Sequence, residues 1–554
     1  MKVSLLAAGL FAAGALADGY HVSSSTGGSE FCKCFPGDVC WSSVRDWNNL
    51  NQTVGGRLIA TVPLAQACHD PNYDEAKCEA LRDNWQSPAI HMEDSASVMA
   101  PYFAGQSCDP FTSRAKPCTL GNYVRYAVAA ESAADVAATI NFAREHNIRF
   151  VIRNTGHDYL GRSTGAGALS VWTHKLDDIS FKIWDDKYYK GHAVKVGAGV
   201  QGHQILEAGL PRGQVVVGGE CPTVGISGGY TQGGGHSALS TSFGLSADNT
   251  LEFEVVTAAG ELITASRTQN ADLYWALSGG GPGNYGVVVS MTVKTHPDSH
   301  VGGATLSFYP HNNPTDTFYN AIDAFHAALP DMVGAGAMVV YYFTSSFFMV
   351  SPLTAYNKTA LEVEAIMKPT YYDHYDKYFG PLPVGAIQVG IAQYGGRLVP
   401  FSAWEKNSMA MSETLRYIAK KGVTWIGVGT DVSPFGKGKA NAVLPAWRTP
   451  LVHATLTTEW SFDPLLWGKM LENQRLMTYD IMPAIEGMTP GSGAYMNEAD
   501  FQQPRWQKEF FGSNYNSLEC IKRKYDPDNF FYATEVVGSE KWKVAANGRM
   551  CKAL

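Results

Sequence analysis

The chain has 554 residues, a formal net charge of −8, 45% hydrophobic residues and 17% charged residues. That length exceeds a single core and predicts roughly two to four domains of ordinary globular composition. No block of Lys and Arg stands out, which argues against nucleic acid as a partner, and no apolar run is long enough to span a membrane.

Residues 1–17 read as a secretory signal peptide. Lys2 supplies the positive start, Val3 to Leu16 is apolar, and Ala15-Leu16-Ala17 is a small-x-small cleavage site. A buried N-terminal helix is the alternative. A secreted, extracellular protein is the expectation, and the sequons at Asn51 and Asn357 fit that route. Asn313 is disqualified by Pro314.

Residues 18–115 are cysteine-rich with weak periodicity. Cys32, Cys34, Cys40, Cys68, Cys78, Cys108 and Cys118 suggest a disulfide framework. Cys68 with Cys78 and Cys108 with Cys118 are plausible local pairs, although spacing cannot fix connectivity. Cys551 is placed to tie the tail to this segment. Cys520 sits in a helical pattern and reads as a buried thiol. Cys221 lies far from all of these and needs a separate explanation.

Residues 116–300 mix helices and strands. Ser132 to His146 has helical apolar spacing with Ser132 as N-cap. Strands are predicted at Arg149–Ile152, Leu169–Trp172, His192–Val196, Leu251–Thr257 and Tyr285–Val293, with helices at Gly202–Ala208 and Ala271–Leu277. Residues 301–510 read as α+β with an antiparallel sheet. Candidate strands there are Ala304–Tyr309, Met338–Phe343 and Thr455–Phe462, and candidate helices are Asp316–Leu329 and Ser408–Lys421. Residues 511–554 form a helix, a turn at Asp526-Pro527-Asp528 and a tail.

Three glycine-rich stretches concentrate the chemistry, though each is also open to a plain turn reading. Arg153-Asn154-Thr155-Gly156-His157-Asp158-Tyr159-Leu160-Gly161-Arg162-Ser163 follows a strand, and such a loop brings backbone N–H groups to a diphosphate. It is not a Walker A loop. Gly218 to Gly229 carries Cys221, which is either a small buried hydrophobe or a functional thiol. Gly281 to Gly286 matches G-x-G-x-x-G, but a helix precedes it and a strand follows, so a Rossmann site is rejected. Two G-x-S-x-G matches lack the strand–helix setting of a nucleophile elbow. No H-E-x-x-H or C-x-x-C occurs, so no metal is expected.

On these residues the chain resembles the berberine bridge enzyme-like branch of the vanillyl-alcohol oxidase superfamily, in its fungal secreted form. The Arg153–Ser163 loop resembles the family's pyrophosphate loop. Glu220-Cys221-Pro222-Thr223-Val224-Gly225 resembles its second linkage motif, and Tyr525-Asp526-Pro527-Asp528-Asn529-Phe530 its C-terminal signature. The resemblance implies an α+β fold with a two-subdomain FAD-binding domain (116–300). A substrate domain with an antiparallel sheet flanked by helices follows (301–510), and the C-terminal segment (511–554) returns to the FAD domain.

It further implies bicovalent FAD, with His157 on the 8α-methyl and Cys221 on C6. Arg153, Asn154, Thr155, Gly156, Asp158, Tyr159, Gly161 and Ser163 would form the cofactor loop. Gly219, Val224, Gly225, Gly228, Gly229, Gly286, Val287 and Asn497 would complete the cradle. Val224, where the family's larger residues block oxygen, favours an oxidase; a core valine is the plain alternative.

The segment Gly493 to Asp500 resembles the family's Tyr-x-Asn-Tyr-x-Asp, but Glu498 stands where a tyrosine base is usual. Glu498 serves as base if burial raises its pKa, or else forms a structural salt bridge. Tyr495 is the second catalytic candidate. His236 lines the site or caps a turn, and at most one of Tyr341 and Tyr342 can face a pocket. The leading expectation is a monomeric oxidase of an alcohol, carbohydrate or phenol that passes electrons to O2. Oxidative cyclisation or dehydrogenation in secondary metabolism, and a non-catalytic binding protein, are the alternatives.

Overall fold

The computed structural model describes residues 31–310, 316–364, 369–372, 387–436 and 440–553. The expected signal peptide and Asn313 lie outside the described residues.

The first of three principal sheets runs Leu58–Ala60, Tyr126–Ala129, Leu169–Trp172, Phe150–Arg153. Its last three strands are parallel. The helix Ala133–Glu145 carries the chain from Tyr126–Ala129 across Leu169–Trp172 to Phe150–Arg153, which keeps these strands parallel. Ser132 caps that helix, accepting from Asp135 N at 3.2 Å. Phe150–Arg153 feeds directly into the Arg153–Ser163 loop, so a rigid strand sets where the loop begins.

The second sheet is antiparallel: Ile179–Asp185, Lys190–Gly197, Val287–Lys294, Thr250–Val256, Leu262–Ser266. The helix Ala271–Leu277 precedes Gly281–Gly286 and the strand Val287–Lys294 follows it. The order is the reverse of a dinucleotide fingerprint.

The third sheet has seven strands, all antiparallel: Pro369–Tyr372, Val301–Phe308, Phe348–Tyr356, Ala337–Phe343, Thr424–Gly429, Pro450–Glu459, Ala392–Pro400. The helices Asp316–Gly334 and Phe401–Lys420 bury their apolar faces, with Leu329 and Ile418, against Tyr341 and Trp425 on one side. Period-2 alternation sends Val340, Tyr342, Ile426 and Val428 to the other side.

The N-terminal segment is better ordered than its weak periodicity predicts. It holds the helices Val44–Thr53 and Glu75–Asn84, and Leu58–Ala60 is an edge strand of the first sheet. Both helices carry few apolar residues, which hides them from a periodicity reading. Disulfides join Cys68–Cys78, Cys108–Cys118, Cys34–Cys40 and Cys32–Cys551. Cys520 corrects an expectation: it is a free thiol and exposed. Its helix, Tyr515–Tyr525, buries Leu518 and Lys522. A residue two positions after Leu518 falls on the opposite face.

The C-terminal segment packs back on the residues that precede it. Lys522 is fully buried and donates to Asp526 and to the carbonyls of Asn284 and Phe531. Asp526 in turn accepts from the N–H groups of Phe530 and Phe531.

Candidate active site

A cavity of about 590 Å³ lies between the glycine-rich loops and the third sheet. Asn154, Thr155, Gly156, His157, Asp158, Tyr159 and Ser163 line it from the first loop. Gly219, Cys221, Val224, Gly225, Gly228 and Gly229 line it from the second, with Gly286 beside them. Tyr495, Asn497 and Glu498 close a further wall.

Three predicted residues stand behind this lining. Arg153 is buried and donates to His91 O at 2.9 Å. Its guanidinium lies 2.7 Å from where a Cβ of Gly156 would sit, and Gly156 has φ +92°, so only glycine fits there. Gly161 packs on the Phe103 ring. Val287 is buried in a core with Phe150 and Phe530.

The first loop is shaped from within. The Asp158 carboxylate accepts from Leu160 N at 3.0 Å and Ser163 N at 2.8 Å. Among the described residues, the backbone N–H groups of Thr155, Gly156, His157 and Asp158 find no acceptor. A run of free N–H groups on a cavity wall suits an anion such as a diphosphate. Asn154 donates to Ala198 O and packs beneath Gly225 and Gly228, where a Cβ would come within 2.5 and 3.0 Å of its amide. That contact locks the two loops together.

His157 and Cys221 meet at one end. His157 Nε2 is 4.0 Å from Cys221 Sγ, and Thr223 Oγ1 stands between them, 2.7 Å from the imidazole and 3.5 Å from the sulfur. Burial pushes the His157 pKa down to about 4, so the ring is a neutral nucleophile at ordinary pH. Burial pushes the Cys221 thiol up, so its reaction as thiolate requires a proton acceptor close by. The Thr223–His157 pair is within reach.

Glu498 sits between two imidazoles. His236 Nε2 is 2.8 Å from one carboxylate oxygen; His453 Nε2 is 2.9 Å and Thr455 Oγ1 3.1 Å from the other. Burial alone would raise this carboxyl, but the charge and hydrogen bond of His236, with the bond from His453, outweigh it and hold the pKa well below 4.5. The condition of a burial-raised base is therefore not met: Glu498 is an ionised, clamped carboxylate. Conversely the carboxylate raises His236 against its own burial. Both Nδ1 atoms are buried without a partner among the described residues. A metal-bound imidazole is normally steered by an acceptor there, so the cluster reads as a hydrogen-bonded unit.

Tyr495 is fully buried. Asn497 Nδ2 donates to its hydroxyl at 2.9 Å and to Gly229 O at 2.8 Å. Burial raises the phenol, which stays protonated. Tyr342 lines the cavity, while Tyr341 is in the core with its hydroxyl on His326 and Trp425. His453, Thr455, Glu220 and Tyr394 were not singled out from sequence. Alternation of His453, Thr455 and Thr457 along a strand was the available signal. Tyr394 stacks on Tyr159 with centroids 3.8 Å apart.

Residues 124–266 match the model of an FAD binding domain, and residues 494–537 match that described as berberine and berberine like. The FAD-linked oxidoreductase ZEB1 of Gibberella zeae is 56% identical over 94% of this chain and 95% of its own length. The chain belongs to the berberine bridge enzyme-like, VAO-type FAD-linked oxidoreductases. The VAO-type flavoprotein oxidase VAO615 of Thermothelomyces thermophilus is 41% identical over 95% of this chain and 96% of its own length. The crystal structure of MtVAO615 from Myceliophthora thermophila C1 superimposes with a TM-score of 0.90 at 40% identity, covering 94% of this chain and all of that one. The protein is thus an FAD-linked oxidoreductase, which sets aside a purely binding role. Its residues fit the cofactor: unpaired loop N–H groups for a diphosphate, on the wall of a cavity of about 590 Å³.

Proposed function

We propose that the protein is a secreted, monomeric oxidase that holds FAD through both His157 and Cys221 and converts an alcohol to a carbonyl. The observation that carries this reading is the meeting of His157 Nε2 and Cys221 Sγ at 4.0 Å on the wall of the FAD cavity. When bound, the flavin accepts a hydride from the substrate carbon and passes electrons to O2, giving H2O2.

The chain's own residues do the rest. The loop from Thr155 to Asp158 holds the diphosphate. Glu498, ionised and fixed by His236 and His453, accepts the substrate hydroxyl's hydrogen bond; its low pKa makes it a weak base, so it takes the proton only as hydride departure acidifies that hydroxyl. Tyr495 and Asn497 hold their wall through Gly229. Val224 lines the cavity three residues after Cys221 and keeps a small side chain where oxygen must approach. Four disulfides favour an oxidising compartment and support secretion.

The test is direct. Purified protein should be yellow, keep its flavin through acid precipitation, and release H2O2 across a panel of alcohols, sugars and phenols. A colourless precipitate, with the flavin in the supernatant, overturns covalent attachment. Flavin reduction without H2O2 turns the reading toward a dehydrogenase.

A further inference from the structure

The seven-stranded sheet shows the cavity a patch of defined chemistry. Val340 pairs with Val428 and Tyr342 with Ile426 across one strand boundary; Val428 pairs with His453 and Ile426 with Thr455 across the next. Directly paired residues point to the same face. Val340, Val428 and His453 therefore form one row, and Tyr342, Ile426 and Thr455 the next. Three strands span about 10 Å. The row ends at His453 and Thr455 are the two groups that bind the far oxygen of Glu498. A hydroxyl at Glu498 thus has its carbon skeleton beside an aliphatic surface.

The charges beside this patch disfavour an anionic substrate there. Arg162 is the one Lys or Arg side chain among its described lining, and its guanidinium is spent on the carbonyls of Met496, Thr534 and Glu535. The other ionisable lining groups near the patch are Glu498, His236 and Glu220; burial raises the Glu220 carboxyl. Among the described residues lining this part of the cavity, no free cation is placed to meet a carboxylate or phosphate. A sugar ring seated on Val340, Ile426 and Val428 would find no partners there for the hydroxyls it turns toward them.

We propose that the substrate is an uncharged alcohol on a compact apolar skeleton of one or two rings, seated on Val340, Tyr342, Ile426 and Val428 with its hydroxyl at Glu498. The proposal rests on the oxidase reading above and narrows it. The reaction removes one hydride and one proton from the alcohol to give the carbonyl compound, with the hydroxyl proton going to Glu498 and the hydride, with its electron pair, to the bound flavin.

The experiment uses the purified holoenzyme with 1-tetralol, cellobiose and a carboxylated tetralol. H2O2 release should give 1-tetralol a kcat/KM at least about 100-fold above both others. The unreactive ketone 1-tetralone should perturb the flavin absorbance with a lower Kd than cellobiose. Val428→Thr, nearly the same shape, should weaken tetralone binding about fivefold without loss of bound flavin. Preference for cellobiose or the carboxylate, or tetralone binding no tighter than cellobiose, overturns the proposal. If no alcohol releases H2O2, the oxidase reading fails, while the tetralone titration still decides the chemistry of the patch.

Discussion

His453 and Glu498 are joined by a 2.9 Å hydrogen bond between the penultimate strand of the third sheet, Pro450–Glu459, and the loop that follows the helix Met482–Met488. His453 is fully buried, and Glu498 reaches the cavity. The sheet thereby fixes the carboxylate that the substrate meets. Replacing Glu498 with Gln keeps the shape and removes the base. Its kcat should fall about 10²–10⁴-fold with flavin content unchanged, measured by steady-state H2O2 release and the visible spectrum.

The same clamp sets a pH dependence. The folded pKa of Glu498 is below 4.5, so its ionised form persists as pH falls through the usual carboxylate range and is lost only beneath it. Activity that depends on this carboxylate should not decline between pH 7 and 5. In His453→Leu the acid limb should move upward, because one of the groups that lowers the pKa is gone. A kcat/KM profile over pH 4 to 8 checks the shift, and His453→Asn, which keeps a donor, should restore part of it.

Much of the cofactor side was readable because its residues are contiguous. The Arg153–Ser163 and Glu220–Gly225 runs each carry their chemistry within a few positions, and strand and helix order around Gly281–Gly286 was enough to reject a Rossmann site. The substrate side was not readable in the same way. His453 becomes functional only through its cross-strand and loop neighbours, and those depend on register. Strands such as Phe348–Tyr356 and Ala392–Pro400 gave no clear signal, because glycines, a proline and polar residues interrupt their alternation. Cys520 misled because a helix pattern shows that one face is buried without showing which residue lies on it.

Val224→Leu adds one methylene at the cavity wall. Reoxidation of the reduced protein by air should slow by about tenfold or more, while anaerobic reduction by substrate changes little. Stopped-flow absorbance separates the two half-reactions. Equal reoxidation rates would remove Val224 from the oxygen path.

Lys522 and Asp526 form a buried pair under the C-terminal turn that presents Phe531 to the cavity. Lys522→Ala leaves the Asp526 carboxylate without its cation in a dry site. The loss should be about 3–5 kcal/mol of stability, read by chemical denaturation.

The central claim is double attachment of the flavin, and peptide mass mapping of the digested holoenzyme tests it most directly. The account predicts one species in which FAD joins the peptide of His157 to the peptide of Cys221, reduced to His157 alone in Cys221→Ser. A free thiol at Cys221 in the native holoenzyme, or flavin on neither peptide, would contradict it.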